Sequence, residues 1–297
     1  MFDVMFPIET THMQLRLSIA HVAGLKQHEE IIPEKAGRMV YQLRNWVRLQ
    51  NPVIVDQSLT VIDGHHRAFV LQKMGFRYIP ICQIDYFNPA VKLRYWFRSI
   101  PHIPRTDTIN QVLGDLNGTP RPAADRRELE KLLLENRLHL GIQHKACFFC
   151  VSFPEAVVHD AVSAYHITEQ LQRRLLAKGD RPEYIPCQSV FSGECAGRME
   201  TDDVILWTPQ ISKEMVQEAV ACERCFAPKA TRHLIPARPL NVNLPLHWLK
   251  GDVPLDSLNQ KFLHLLEQKG LKRFPPGQII DGRYYEEELF VFVNKGT

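Results

Sequence analysis

The spacing of apolar residues along the chain sorts it into short strands and amphipathic helices. Residues 13–25 (MQLRLSIAHVAGL) alternate loosely and predict a strand. Beyond Pro33, a residue suited to a first helical turn, Ala36, Met39, Val40, Leu43, Trp46 and Val47 recur at three- and four-residue spacing. That pattern predicts a helix ending near Asn51-Pro52. Two β-type runs follow, residues 52–56 and 59–63, joined by a turn at Gln57-Ser58. Gly64 breaks the second run, and His65-His66-Arg67 open a helix that carries Val70, Leu71 and Met74 on one side. Gly75 supplies the stop, and residues 76–87 return as a strand.

The later chain keeps alternating. An apolar stretch at 91–100 is closed by Pro101 and Pro104, and residues 124–136 form a charged helix with Leu129, Leu132, Leu133 and Leu134. Residues 139–153 read as a hairpin, 161–176 as a helix and 204–208 as a strand. A helix capped by Ser212 runs to Ala221, and another spans 255–269. Asp281-Gly282 is read as a hairpin turn because residues 284–293 continue as a strand. The expected class is α/β (α+β), with a first unit at 1–105 and a second mixed α/β unit at 106–297.

Composition narrows the picture without redirecting it. At 297 residues, 45% apolar and 23% charged, the chain has ample material for a globular core. A net charge of +3 demands neither a nucleic acid nor a membrane partner. No apolar run approaches the roughly 20 residues of a membrane span, and the opening MFDVMFPIETTH lacks the basic start of a secretory signal. The expected compartment is the cytoplasm, where the seven cysteines would be thiols. Cys147-x-x-Cys150 and Cys222-x-x-Cys225 invite a zinc reading, but the first pair sits in an apolar strand, ACFFCVSF. Residues three apart on a strand point to opposite faces, so buried or idle thiols are the better reading.

The chemistry gathers at residues 59–75 (LTVIDGHHRAFVLQKMG). The first backbone N–H groups of a helix lack internal partners and carry the positive end of its dipole. A glycine just before them lets an anion approach, so Gly64, His65, His66 and Arg67 make a natural phosphate cradle, with Arg67 able to grip two oxygens. Asp63, at the strand end, could hold a metal ion or accept a proton. Against this stands the plain alternative of an Asp-Gly turn with surface histidines.

This stretch resembles the DGHHR signature of the ParB/sulfiredoxin-like superfamily and, within it, of the free serine kinases. Leu25-Lys-Gln-His-Glu-Glu30 resembles that family's upstream HE motif, and Phe226-Ala-Pro-Lys-Ala-Thr-Arg-His233 its downstream TRH motif. The resemblance runs from about Leu15 to Trp248 and implies a nucleotide-binding first domain. It also implies phosphoryl transfer from ATP or ADP, with Mg2+, to the hydroxyl of L-serine. On that footing Glu29 would orient or deprotonate the hydroxyl, and Gly64 to Arg67 would cradle the phosphates. Asp63 would help to hold magnesium through them. Trp96, Lys229, Thr231, Arg232 and His233 would bind the substrate or the transferred phosphate, with Arg238 a weaker candidate. Either Glu29 or Asp63 could be the base. The partners implied are L-serine and the nucleotide, with a homodimer left open.

Three other readings use the same residues. A ParB-like nucleotide- or DNA-binding regulator should carry a helix-turn-helix and a basic face. Here the downstream region alternates with strands, and GHHR stands where partitioning proteins usually show a GERR-like box. A metal-dependent nuclease or a non-catalytic sensor could keep the same pocket. The chain's extension beyond Trp248 departs from the family pattern, as does the CERC insertion, and both leave the acceptor open to another hydroxyl amino acid.

Overall fold

The structure, a computed structural model, describes residues 4–103, 105–186 and 202–295. Pro104 of the boundary pair and the first three residues of the N-terminal reading lie outside the described residues, as do Cys187 and Cys195.

The chain divides into two compact units. The first is built from Met1–Gln27, Ile31–Lys92 and His233–Thr297, the second from His28–Glu30 and Leu93–Arg232. The boundary therefore falls at Lys92 rather than near residue 105, and the C-terminal segment returns to the first unit instead of extending the second. Burial explains the return: Ile235, Val242, Leu258, Phe262 and Phe292 share one core with Leu15, Ile19, Ile54 and Ile81. Leaving that apolar surface in water would cost about 25 cal/mol per Å2.

In the first unit a five-stranded sheet runs in the order Phe6–Glu9, Gln14–His21, Tyr78–Gln83, Val53–Val55, Val61–Asp63. Its one parallel pair joins Val53–Val55 to Tyr78–Gln83, and the helix His65–Lys73 lies within the crossover between them. That helix ends as its glycine predicts. Gly75 has φ +72°, its N–H reaches the Gln72 carbonyl, and the Phe76 N–H reaches that of Leu71. The helix Leu255–Glu267 packs on the sheet through Asn259, whose amide both accepts from the Ile19 N–H and donates to the Ile19 carbonyl. A second, three-stranded sheet places Glu288–Asn294 between Ala237–Leu240, parallel, and Lys269–Phe274, antiparallel.

The helix at Pro33 stops at Leu43, well short of Asn51. Arg48–Leu49 pairs instead with Leu244–Pro245, leaving Trp46 and Val47 exposed. Apolar spacing favoured a longer helix, and a pairing with residues far along the chain overrides it.

The second unit is a six-stranded antiparallel sheet in the order Glu183–Pro186, Trp96–Ile100, Val204–Trp207, Leu140–His144, Cys147–Ser152, Thr119–Ala123. The edge strand Thr119–Ala123 was not expected, since its sequence TPRPA holds two prolines; only an edge tolerates the missing donors. The helix Thr106–Asp115 was also missed. The helices Ala161–Leu175 and Lys213–Ala221 follow prediction, capped by Asp160 and Ser212. Cys147 is exposed and Cys150 buried, as residues three apart on a strand should be. Among the described residues no helix is long and apolar enough to cross a membrane.

Candidate active site

In the first unit the turn at Gly64 is tightly shaped. Its φ of +104° lies in the left-handed region, and a Cβ there would come within 3.0 Å of Arg67 Nη2 and 3.1 Å of Val53 Cγ2. Glycine is thus required twice over, by conformation and by space. No side chain caps the helix that follows, and its first intrahelical bond is donated by the Ala68 N–H to the Gly64 carbonyl. His65, His66 and Arg67 form the first turn, at the positive end of the helix dipole. His66 Nε2 accepts from the Ile32 N–H at 3.2 Å, which puts the proton of a neutral ring on Nδ1.

Arg67 is placed differently from a phosphate clamp. Its Nη1 donates to the carbonyls of Asn51 and Pro52 at 2.7 and 2.9 Å, and its Nη2 lies 3.5 Å from Asp63 Oδ2. The guanidinium braces the turn from behind. The same Asp63 oxygen receives Arg238 Nη1 at 2.6 Å, while Asp63 Oδ1 meets no partner among the described residues. Burial pushes the Asp63 carboxyl up, but Arg238 and Arg67 together outweigh it and hold the group well below the usual carboxylate range. Asp63 is a fixed anion. His233 follows Arg232 on the strand Arg232–Leu234, and its Nε2 lies 2.9 Å from the buried Tyr86 hydroxyl.

In the second unit the acid upstream of the turn is held by the TRH segment. Glu29 and Phe226 form a parallel bridge in which Phe226 N–H donates to the His28 carbonyl and Glu30 N–H to that of Phe226. This seats Glu29 Oε1 against the Thr231 N–H (2.6 Å) and hydroxyl (2.5 Å), with Oε2 3.3 Å from the Lys229 N–H. The Thr231 hydroxyl has one proton and gives it to the carboxylate. Buried His28, 3.0 Å away through Nε2, must therefore donate to that hydroxyl, which fixes its tautomer.

Trp96 lies beside this acid. Its indole N–H donates to the Thr231 carbonyl at 3.1 Å, while Lys229 Nζ and Arg232 Cζ approach its ring centroid at 4.9 and 5.4 Å. Beneath the segment runs Arg98, only 1% exposed, donating to Gln172 Oε1 at 3.1 Å and to the Pro228 carbonyl at 3.4 Å. His28, Tyr86, Arg98 and Glu287 were not singled out from sequence. His28 could have been, since it adjoins Glu29; a lone Arg within a strand and one Glu of the run 286–288 carry no comparable signal.

No family model matches the chain. It is 25% identical over 239 residues to an ATP-dependent L-serine kinase of Staphylothermus marinus, covering 77% of this chain and 89% of that protein. An ADP-dependent L-serine kinase of Thermococcus kodakarensis is 22% identical over 235 residues, 76% of this chain and 89% of the relative. Among solved structures, a free serine kinase variant in complex with AMP superposes with a TM-score of 0.61 at 18% identity, over 84% of this chain and 97% of that one. The fold is that of the free serine kinases.

Proposed function

We propose that this chain, similar in sequence and fold to the free serine kinases of the ParB/sulfiredoxin-like superfamily, is a free amino-acid kinase. It transfers the terminal phosphoryl group of ATP or ADP to the hydroxyl of L-serine, giving O-phospho-L-serine. The observation that carries this reading is the anchoring of Glu29 by the N–H groups of Thr231 and Lys229 beside Trp96.

Phosphoryl transfer asks a protein mainly for alignment and charge neutralisation, with a group to receive the acceptor's proton. The amides of His65, His66 and Arg67 receive the nucleotide's phosphates at the positive end of their helix, and the imidazoles add donors. The serine hydroxyl attacks the terminal phosphorus and passes its proton to Glu29. The bond to the leaving nucleotide breaks, its electrons going to the nucleotide's phosphate oxygen. Glu29 takes the part of base because Asp63 is held ionised by Arg238 and Arg67 and is a poor proton acceptor. Lys229 and Arg232, on the Trp96 ring, supply positive charge for the serine carboxylate or the transferred phosphate.

Magnesium favours carboxylate, phosphate and water oxygens, and Asp63, with Oδ1 unengaged, is a fitting residue to hold it; the ion would neutralise phosphate charge. Incubation with magnesium, L-serine and either nucleotide tests the reading. Phosphorus NMR should show O-phosphoserine with the wild type and none with Glu29→Ala. A wild type that forms none with ATP or ADP refutes it.

A further inference from the structure

One ion relay links the turn at Gly64 to the C-terminal segment. Arg238 lies on the strand Ala237–Leu240, which pairs in parallel with Glu288–Asn294 so that Arg238 stands opposite Leu289. Side chains alternate along a strand, so Glu287, two residues before Leu289, takes the same side as Arg238. The backbone N–H of Glu288 is tied to the Pro236 carbonyl at 3.0 Å, which fixes that register. Arg238 Nε meets Glu287 Oε1 at 2.5 Å, and Arg238 Nη1 meets Asp63 Oδ2 at 2.6 Å. The Arg238 and Glu287 side chains are only 10% and 14% exposed.

A guanidinium has a fixed planar fork, so fastening one edge to Glu287 sets the direction in which the other edge meets Asp63. Asp63 is the residue immediately before the glycine turn and receives both Arg238 and Arg67 on Oδ2. Two ends of one carboxylate cannot be turned independently. Holding Oδ2 therefore aims Oδ1, the oxygen with no partner among the described residues.

We propose that Glu287, contributed by the C-terminal segment, is a positioning residue for the nucleotide: acting through Arg238, it holds Asp63 so that Oδ1 stays turned to the magnesium ion that would accompany the phosphates at the Gly64 turn. This rests on the assignment of that turn to a nucleotide. It gives the segment beyond Trp248 a part in binding the nucleotide as well as in completing the core. Charge balance agrees with it. Asp63 and Glu287 offset Arg67 and Arg238, so the relay adds no net negative charge where phosphates must approach.

The test uses the full chain, with Glu287→Gln, Arg238→Met and the double variant, measured by calorimetry with ADP in the presence of magnesium and by steady-state kinetics. Glu287→Gln keeps the shape and removes the charge. It should weaken ADP binding and raise the nucleotide KM about tenfold, a change of about 1.4 kcal/mol. The serine KM should stay within about twofold, and the double variant should be no worse than Arg238→Met alone. Glu287→Asp, which keeps the charge, should recover part of the loss and serves if the Gln variant does not fold. Unchanged ADP affinity in a folded Glu287→Gln protein overturns the proposal, as do single losses that simply add in the double variant. If the wild type binds ADP yet forms no O-phosphoserine, the kinase reading fails while calorimetry still decides the relay. If it binds no nucleotide, both fall.

Discussion

Thr231 gives both its backbone N–H and its hydroxyl to one oxygen of Glu29, at 2.6 and 2.5 Å. The hydroxyl is in turn reached by buried His28. An acid held at one oxygen by two donors, with its other oxygen 3.3 Å from the Lys229 N–H, is oriented by the chain rather than by substrate.

The two partners should therefore fail differently. Glu29→Gln removes the proton acceptor and should lower kcat by about 100- to 10,000-fold. Thr231→Val removes only one donor and leaves the N–H bond, so kcat should fall by about tenfold, the worth of one hydrogen bond to a charged group. Single-turnover O-phosphoserine formation distinguishes them. Equal losses would mean that Thr231 does more than orient Glu29.

Gly64→Ala tests the turn itself. The added Cβ meets a left-handed φ of +104° and the Val53 side chain at 3.1 Å, and neither can be relieved cheaply. Strain of this kind costs about 1–3 kcal/mol. Denaturant unfolding should show that loss, and ADP affinity should fall with it because the amides after Gly64 shift. Retained stability and affinity would show that the turn can be reached by an ordinary residue.

How much of this the sequence disclosed depends on the range of the interaction. The turn at Gly64, its helix and the Gly75 stop are local, and each was legible because a few neighbouring residues decide it. Motif order assigned Thr231 to the substrate or phosphate, whereas its N–H and hydroxyl hold Glu29, a contact that no periodicity announces between residues 202 positions apart. Arg67 was misjudged as a free clamp because its carbonyl partners at Asn51 and Pro52 are made by the fold. The return of the C-terminal segment was hidden for the same reason: its apolar residues announce burial without naming the core they join. Arg98 and Glu287 gave no local sign at all.

Asp63 should leave a mark on acid stability. Its carboxyl is held well below the usual range, against the opposing effect of burial, by Arg238 and Arg67. A group whose folded pKa is depressed contributes stability that is fully present above its unfolded pKa of about 3.9 and is lost as pH falls toward the folded value. The stability difference between wild type and Asp63→Asn should therefore be flat from about pH 5 to 7 and shrink below about pH 4. Urea unfolding of both proteins across that range measures it; a difference that grows on acidification would place the carboxylate outside the relay.

The cysteines allow a check on the burial pattern without any assay of activity. Cys82 lies wholly inside the first unit's core, where burial pushes its thiol up to about 12, while Cys147 and Cys222 are exposed. Alkylation proceeds through the thiolate and needs access, and Cys82 lacks both. Iodoacetamide at pH 8 should therefore label Cys147 and Cys222 in the folded protein within minutes. Cys82 should stay unmodified until denaturant is added, and peptide mass spectrometry reads each site separately. Cys150 provides the internal control. It sits on the same strand as exposed Cys147, three residues on, buried and with its thiol pushed upward by desolvation. If Cys147 and Cys150 react at the same rate, the strand does not present them to opposite faces, and the register of Cys147–Ser152 against Leu140–His144 is not the one described.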